Sequence, residues 1–333
     1  MNDLLKKLSD REKEKLRKKE QPEWTSPMLA KLSHEIFSDK NWIYERKLDG
    51  ERILIFKKGN KISLKSRNKK ELNETYPEIA EAIKDQESEN FIIDGEMVAF
   101  DGKITSFSKL QTRMHLKDSK EIKESKTRVF FYVFDIIYFE VYDLTKLVVT
   151  QRKAILKKAV KFEDPLRFTP HRNENGEKYH KDACEKGWEG LIAKKADGEY
   201  VHQRSSNWLK LKCVNQQEFV IGGYTNPEGE RIGFGALLLG FYENGKLQYA
   251  GKVGTGYDDK TLEDLHQKLS RIEKKDPEFE ANEDLPSKKV HWVKPKYVAE
   301  IGFTEWTNTN KLRHPRYLGL RRSKKAREVI REN

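Results

Sequence analysis

The residue with the clearest chemical potential is Lys47, in the stretch Lys47-Leu48-Asp49-Gly50-Glu51-Arg52. A lysine amine is a nucleophile only when it is unprotonated, and with a reference pKa of about 10.4 the neutral form costs about 4 kcal/mol at neutral pH. Nearby cations lower this cost because they oppose protonation. Lys210 and Lys212 alternate along a predicted strand and share one face. If that face is turned toward Lys47, they would lower its pKa and hold a phosphate.

Two carboxylates are candidates for a divalent metal site. Glu96 ends an apolar strand beside Gly95, and Glu189 begins another strand before Gly190. An acid at the mouth of a buried strand is costly unless it is paired or metal-bound, and Mg²⁺ takes one or two carboxylates plus phosphate oxygens and water. The pattern predicts Glu96 and Glu189 as ligands of Mg²⁺, with Mn²⁺ as an alternative. Phe134, in a third apolar run, is a candidate platform for a nucleotide base.

Each of these residues also has a structural explanation. Lysine is frequent in this chain, so the pattern around Lys47 taken alone arises by chance as readily as by function. A single acid at a strand end is more often solvated, a phenylalanine in an apolar run is more often core, and the two later lysines alone would form an exposed strand face. The order and spacing of the whole set favour the chemical interpretation.

Periodicity predicts a mixed α/β unit around these residues. Strands are predicted at 42–47, 52–57, 61–66, 91–100 and 129–138, and helices at 74–84, 150–160 and 177–186. The pair Gly59-Asn60 suits a tight turn between the second and third strands. Lys47 is therefore predicted at a strand end, with residues 48–50 turning behind it.

After Lys212 the pattern changes to short strands separated by glycine turns. Strands are predicted at 218–224, 236–242, 247–253 and 298–304, with a hairpin turn at Asn244-Gly245. This size and strand count are typical of an OB-fold barrel. We expect a charged tail at 1–22, a first domain at 23–213 and a second domain at 214–333, with the boundary near 213–217.

The composition indicates a soluble intracellular protein with a polyanionic partner. Charged residues make up 36% of the 333 residues and the net charge is +12, which favours nucleic acid over a membrane surface. Cys184 and Cys213 are far apart and have no CxxC or Cys/His spacing, so neither a disulfide nor a zinc site is predicted. With no targeting or membrane-spanning segment evident, we expect a cytoplasmic, nucleoid-associated location.

Both ends of the chain are rich in basic residues. Residues 1–20 hold eight Lys/Arg and five Asp/Glu, for which we expect a solvated tail, with a weak nucleic-acid or partner contact as the alternative. Residues 311–333 hold nine Lys/Arg and two Glu. This run predicts a phosphate-facing segment, with a solvated C-terminal helix as the alternative.

The motifs, in this order, resemble those of the covalent nucleotidyltransferase superfamily of ATP-dependent DNA ligases, RNA ligases and mRNA capping enzymes. The resemblance extends from about Pro27 to Lys324. It implies an α+β nucleotidyltransferase domain with antiparallel sheets, an adenylyltransferase, followed by a small all-β OB-fold domain. The motifs that carry it are Lys47–Arg52, Ser66-Arg67-Asn68, Asp94-Gly95-Glu96, Phe131–Asp135, Glu189-Gly190 and Lys210-Leu211-Lys212.

The resemblance also implies a role for each candidate residue. Lys47 would take the nucleotide, Glu45 would contact adenine, and Arg67 would serve the ribose and phosphate side. The remaining nucleotide-site residues are Arg52, Phe134 as the base platform, Glu96 and Glu189 as metal-linked acids, Lys210 and Lys212 on the α-phosphate, and Arg321 and Lys324 on pyrophosphate.

Within the superfamily the sequence is most similar to the ligase domain of the bacterial end-joining ligase D group. The segments that carry this similarity are Gln217–Tyr224, Gly233–Gly240 with Ala250–Gly256, and Glu305-Trp306-Thr307 followed by Leu312–Arg321. Such proteins usually continue the last motif with acidic residues, whereas Arg322-Ser323 follow here, and Gln203 replaces a common glycine. The first difference bears on the pyrophosphate contact.

The resemblance therefore implies a free-standing DNA ligase that uses ATP and Mg²⁺ to seal 5′-phosphate/3′-hydroxyl breaks through a lysyl-AMP intermediate, in DNA repair, recombination or end joining. Its expected partners are nicked or cohesive-ended duplex DNA and a Ku-like end-bridging protein, and a monomer is expected. The alternatives are an RNA ligase, a GTP-using capping enzyme and a non-catalytic nucleic-acid-binding protein.

Overall fold

The computed structural model describes residues 2–33, 35–114, 116–213, 215–281, 283–286, 289–303, 305–307, 309–321 and 324–332. Internal contacts divide the chain into two units, Met1–Cys213 and Val214–Asn333. Each unit is described separately. Arg322, Ser323 and Thr304, which figured in the sequence predictions, lie outside the described residues.

The first unit is an α+β arrangement with two main sheets. Its elements are α1 (Asp3–Lys6), α2 (Asp10–Lys13), β1 (Arg17–Lys18), β2 (Leu29–Ser33), β3 (Trp42–Arg46), β4 (Glu51–Lys58), β5 (Lys61–Ser66), α3 (Pro77–Lys84), β6 (Asn90–Asp101), β7 (Ile104–Thr105), α4 (Phe107–Met114), α5 (Ser119–Glu124), β8 (Val129–Phe139), β9 (Tyr142–Asp143), α6 (Val149–Ala159), β10 (Leu166–Phe168), β11 (His171–Arg172), α7 (Gly176–Glu185), β12 (Gly190–Lys195) and β13 (Arg204–Lys212).

The larger sheet has the strand order β1-β9-β8-β6-β4-β5. Its long central strands are apolar on both faces because both faces are covered. Ile53 and Ile55 face a core shared with the helices, whereas Leu54 and Phe56 face a second core shared with the smaller sheet. The predicted hairpin between β4 and β5 is present, and its Gly59 has a φ of +55°.

The smaller sheet has the order β11-β3-β12-β13-β2. One of its faces packs on α7 through Tyr44, Leu191 and Leu211. The opposite face carries Trp208, which joins the core between the two sheets. The alternation of side chains therefore leaves polar residues of β3, β12 and β13 directed toward the larger sheet.

The N-terminal segment differs from the predicted solvated tail. Leu5 is fully buried in the core of the first unit, where α1 contacts α6. Further along, β1 pairs antiparallel with β9 at the edge of the larger sheet. The leucines spaced among the charges were the signal, because they give this short segment an apolar side that can be buried.

The second unit is all-β apart from one long helix among its described residues. Its elements are β14 (Asn215–Thr225), β15 (Leu237–Glu243), β16 (Lys246–Val253), α8 (Asp259–Ser270), β17 (Glu273–Lys274), β18 (Val290–Val293), β19 (Val298–Phe303), β20 (Glu305–Trp306), β21 (Leu312–Arg313), β22 (Arg316–Arg321) and a 3₁₀ turn (Ala326–Glu328).

Strand β14 organises this second unit. It pairs antiparallel with β15, β18 and β19, and β19 in turn pairs with β22. The predicted turn at Asn244-Gly245 joins β15 to β16, with φ values of +51° and +78°. Helix α8 was not predicted, although Leu262, Leu265 and Leu269 form its buried stripe and Asp258 caps its N-terminus.

The prediction that the cysteines stay unpaired is wrong. Cys184, on α7, and Cys213, directly after β13, form a disulfide with their Cα atoms 5.3 Å apart. The cysteines are far apart in sequence but close in space, because antiparallel pairing of β13 with β12 returns the end of β13 to the turn that follows α7. Among the described residues, no helix combines the length and apolarity that a membrane crossing requires.

Candidate active site

Lys47 lies immediately after β3 and continues its ladder. The Lys47 amide donates to the carbonyl of Gly190 at 2.9 Å. Its Nζ is 2.5 Å from Oε1 of Glu189, and the side chains are 17% and 6% exposed, respectively. The sequence therefore brings together two of its predicted residues, Lys47 and Glu189, in a nearly buried ion pair.

The pKa of Lys47 does not move in the predicted direction. Burial acts to lower it, but the carboxylates of Glu189, Asp49 and Glu96 outweigh burial and raise the pKa above its ordinary value. The expectation that the later lysines depress this pKa is therefore wrong for the protein by itself. Glu189 has the largest opposing effect because its Oε1 lies 2.5 Å from Nζ of Lys47.

The register of the smaller sheet places the predicted phosphate ligands on the same face as Lys47. Lys212 pairs with Gly190, whose carbonyl accepts from the Lys47 amide, and Lys210 pairs with Ile192, which in turn pairs with Glu45. Directly opposed residues in antiparallel strands point to the same side of a sheet. Lys210 and Lys212, both half-buried, therefore lie on the same face of the smaller sheet as Lys47.

Glu45 belongs to a buried charged cluster that the sequence did not predict. Its carboxylate is 2.5 Å from Nζ of Lys153 and 2.8 Å from Nζ of Lys194. Lys153 also donates to the carbonyl of Thr169 at 2.8 Å. Burial lowers the pKa of Lys194 to about 8, against the opposing effect of Glu45.

Two cations lie close to the ring of Phe134 in the core of the first unit. The guanidinium carbon of Arg52 is 4.3 Å from the ring centroid, and Nζ of Lys194 is 4.5 Å from it. Arg52 is fixed by two hydrogen bonds to Asp94, at 2.5 and 2.7 Å, and Tyr200 donates to the same carboxylate at 2.6 Å. The ring is only 8% exposed, so these contacts hold it firmly in one position.

Glu96 and Glu189 approach Lys47 from different sheets. Glu96 lies on β6, where it pairs with Arg52 and Tyr132, whereas Glu189 precedes β12. Both carboxylates act electrostatically on Lys47. Two oxygen donors that converge on one place fit a hard divalent cation, which takes one or two protein carboxylates and fills its other positions with phosphate and water.

The turn after Lys47 is held by contacts to β6 and to the segment that follows β7. The Asp49 carboxylate accepts from the Phe107 amide at 3.0 Å. A Cβ on Gly50 would lie 2.1 Å from the Met97 carbonyl, so only glycine fits there. Arg67 is half-buried in the turn that follows β5, next to Ser66, which pairs with Ile53.

The predicted pyrophosphate cations lie in the second unit and are paired with acids there. Nε of Arg321 is 2.9 Å from Oε2 of Glu300, and Lys324 forms an ion pair with Glu218. Burial acts to raise the pKa of Glu218, but Lys324 and Arg321 outweigh it and lower that pKa. Glu218 and Glu300 are cross-strand neighbours on β14 and β19, so the four side chains form one charged group.

Several residues of the site received no role from the sequence. Lys153, Lys194, Asp94, Tyr200 and Trp208 all contact predicted site residues. Lys194 lies two residues after Ile192 on β12, so both side chains point to the same face of the sheet. This spacing was a usable signal for the orientation of Lys194. Lys153 sits on a helix among exposed lysines, and nothing in its local sequence marks it as buried.

The fold and site define an α+β nucleotidyltransferase unit followed by an OB-type unit. The profile of the ATP dependent DNA ligase domain matches residues 27–212, and that of the ATP dependent DNA ligase C terminal region matches residues 230–324. The chain is a member of the ATP-dependent DNA ligase family. The fold class predicted from the sequence is thereby confirmed.

Two relatives agree with this membership. The chain is 34% identical over 319 residues to the multifunctional non-homologous end joining protein LigD of Pseudomonas aeruginosa, covering 93% of this chain and 37% of that protein. It is 35% identical over 285 residues to the DNA ligase of Sulfolobus acidocaldarius, covering 78% and 46%. This chain thus spans less than half the length of either relative.

A solved structure supports the same conclusion. The structure of a mycobacterial DNA ligase D complexed with ATP and MES superimposes with a TM-score of 0.66 at 32% identity, covering 92% of this chain and 98% of that one. The predicted similarity to the ligase D group is therefore confirmed.

Proposed function

We propose that this chain joins 5′-phosphate and 3′-hydroxyl ends in duplex DNA, using ATP and a lysyl-AMP intermediate. The observation that carries the proposal is the buried pair of Lys47 and Glu189 on the sheet face that also bears Lys210 and Lys212. An attack on a phosphate requires a nucleophilic amine, an acid beside it and cations that stabilise the phosphate charge, and one sheet face carries all of these.

In the first step, Lys47 Nζ attacks the α-phosphorus of ATP, an N–P bond forms and pyrophosphate leaves. The ammonium must first lose a proton to water, since Glu189, whose Oε1 lies 2.5 Å away, is proposed as a metal ligand and its carboxylate would then be a poor base. A divalent cation held by Glu96 and Glu189 would screen the carboxylates that raise the pKa of Lys47, and would stabilise phosphate charge. Lys210 and Lys212 would stabilise charge on the α-phosphate.

The remaining residues would bind and orient the nucleotide. Phe134, fixed by Arg52, would stack on the base, Glu45 would lie at its edge, and Arg67 would contact the ribose side. Arg321 and Lys324 would contact pyrophosphate, for which the acids Glu300 and Glu218 must give them up. Breaking these two ion pairs costs free energy. The triphosphate would offset that cost, because it carries more negative charge than the two carboxylates.

Two further displacements complete the reaction. The 5′-phosphate of the break attacks the phosphorus of lysyl-AMP, which releases Lys47 and leaves the DNA end adenylylated. The 3′-hydroxyl then attacks the DNA 5′-phosphorus, its proton passes to water, AMP leaves and the strand is sealed. All three are in-line attacks at phosphorus, so one set of cations serves each.

The test is covalent labelling with ATP, and in parallel with GTP, each carrying a radioactive α-phosphate. Wild type and Lys47→Ala are resolved on a denaturing gel, and the label is then chased with a nicked duplex of DNA or of RNA. Label from ATP that requires Lys47 and is lost to a sealed DNA strand is expected. Label from GTP, or sealing of RNA alone, would contradict the DNA ligase assignment, and no label at all would leave a binding protein.

We also propose that the protein acts in DNA repair by end joining, on nicked or cohesive ends, as a cytoplasmic, nucleoid-associated monomer that a Ku-like end-bridging protein recruits. The name of the Pseudomonas relative and the net charge of +12 support this. Light scattering during gel filtration tests the monomer, and joining of cohesive ends with and without the bridging protein tests the partner. Equal joining in both conditions would contradict recruitment.

A further inference from the structure

Both cysteines of the chain meet next to the strand that carries the phosphate-binding lysines. Cys184 lies in the last turn of α7, and Cys213 directly follows Lys212 at the end of β13. The bond between them closes a ring of chain that contains Glu189, all of β12 and all of β13. A single covalent bond thus encloses the segment that holds Lys210 and Lys212.

The surroundings of this bond are tied to the active-site backbone. The Cys213 amide donates to the Glu189 carbonyl at 3.1 Å. Nε2 of His180, one helical turn before Cys184, lies 3.3 Å from the Lys212 carbonyl oxygen. The two ring nitrogens of His180 are 3.7 and 3.8 Å from the Cys184 sulfur. Movement at the sulfurs would therefore be felt at Lys212 and Glu189.

Neither cysteine is fully buried. Both are half-buried rather than buried, as is His180. The sulfur-bearing end of α7 is followed by the exposed residues Glu185, Lys186 and Gly187. Thiol–disulfide exchange needs access of a small thiol or disulfide to a sulfur, and half-buried cysteines beside an exposed turn allow this more readily than fully buried ones.

We propose that Cys184 and Cys213 form a reversible dithiol/disulfide site whose oxidation state sets the position of the end of β13, and through it the rate at which Lys47 reacts with ATP. Its co-substrates are low-molecular-weight disulfides and thiols. The second part rests on the proposed role of Lys212. In the disulfide state the backbone at Lys212 is held on α7, and in the dithiol state only hydrogen bonds hold it.

The chemistry balances without any further reagent. One cysteine thiolate attacks a sulfur of oxidised glutathione, a mixed disulfide forms, and one reduced glutathione leaves. The second cysteine then attacks the protein sulfur of the mixed disulfide, and the second reduced glutathione leaves. Two electrons pass from the protein dithiol to glutathione disulfide, and the two thiol protons end on the released glutathione. An excess of small thiol reverses both steps.

The experiment compares the full chain in the two redox states with a cysteine-free control. The protein is equilibrated with oxidised or reduced glutathione, and its mass is measured, the disulfide state being lighter by about 2 Da. Amide hydrogen exchange of residues 209–213 and the rate of adenylylation of Lys47 are then measured on each form. Cys184→Ser/Cys213→Ser contains no cysteine and controls for other effects of the reagents, and each single variant controls for folding of the double one.

We expect oxidised wild type to show slower exchange at residues 209–213 and an adenylylation rate higher by about threefold or more than the reduced form. The double variant should behave like reduced wild type in both buffers. Two free thiols that persist in oxidised glutathione, or equal exchange in both states, would overturn the site. Equal adenylylation rates with unequal exchange would overturn its control of Lys47. If Lys47 takes no label in any form, the ligase proposal fails, and mass and exchange still decide the redox site.

Discussion

Lys47 is held as an ammonium by the acids around it, although catalysis needs the free amine. Glu189 is 2.5 Å from its Nζ, and Glu96 and Asp49 add to the effect, so the pKa rises despite burial. An amine stored in this form is unreactive toward stray electrophiles. It becomes a nucleophile when the carboxylates are neutralised, which ties its reactivity to arrival of the substrate and its metal.

Removing the Glu189 charge should lower the pKa of Lys47. In Glu189→Gln the attraction that outweighs burial is weakened, so the pH at which Lys47 becomes reactive should fall. Competitive acetylation of Lys47 at a series of pH values, followed by peptide mass spectrometry, measures this without requiring activity. Glu199→Gln, which removes an exposed partner of Lys146, is the control and should change nothing at Lys47. An unchanged profile in Glu189→Gln would contradict the assigned cause.

Lys194 should make the stability of the first unit depend on pH. Burial lowers its pKa from 10.5 to about 8 in the folded protein. Between about pH 8 and pH 10.5 the unfolded chain therefore binds more protons, and the free energy of unfolding rises with pH by up to about 3 kcal/mol from this group. Denaturant titrations of wild type and Lys194→Met should diverge over this range, with wild type gaining relative to the variant. Parallel curves would show that Lys194 titrates normally.

Sequence reasoning succeeded for residues whose motif contains their whole context. Lys47, Glu189 and Lys212 could be placed because strand alternation and a glycine fix them locally. Asp94 and Lys153 could not be assigned, because their roles depend on Arg52 and Glu45, which are distant in sequence. The pKa of Lys47 was mispredicted for the same reason, since the acids that control it come from different sheets.

Strand pairing in the smaller sheet depends on one glycine. Gly190 has a φ of +140°, and a Cβ there would lie 2.1 Å from the Leu211 carbonyl oxygen. Any side chain would push β12 away from β13, which separates Glu189 and Lys47 from Lys212. Strand β12 therefore requires glycine at position 190 both for its positive φ and for its close approach to β13.

Gly190→Ala should accordingly lose adenylylation by about tenfold or more, because small displacements of catalytic groups have large effects. Gly59→Ala is the matched control: Gly59 also has a positive φ, +55°, but nothing lies within 4 Å of its added Cβ. Its substitution should cost about 1 kcal/mol of stability and leave the labelling rate within about twofold. Thermal melts establish that both variants are folded, and equal labelling by the two would contradict the argument.

The main strands and helices were predictable where periodicity was strong, as at residues 91–100 and 150–160. Helix α8 was not predicted although its leucines show helical spacing, because the glycine turns on both sides of it are typical of an all-β unit. The pairing order of the strands could not be read at all. The order depends on which apolar faces pack together, as those of Trp208 and Phe134 do between the two sheets. The pattern of a single sequence does not show which strand a given strand pairs with.

At the scale of the whole molecule, the net charge of +12 should govern how DNA is bound. Each phosphate that is neutralised releases counterions, so the logarithm of the association constant should fall with the logarithm of salt concentration with a slope of about −4 or steeper. Fluorescence anisotropy of a labelled nicked duplex measures the slope. Adenylylation by ATP without DNA is the reference and should vary far less with salt. A slope near zero would contradict phosphate-dominated binding.

The N-terminal segment affects the tendency of the protein to aggregate at high concentration. Because β1 lies against β9 at the edge of the larger sheet and Leu5 is sealed in the core, residues 2–18 cover both a row of unpaired backbone groups and an apolar surface. An uncovered strand edge recruits strands from other molecules. A shortened form that starts near Trp24, shortly before the ligase resemblance begins at about Pro27, would keep every active-site residue and yet aggregate as its concentration rises.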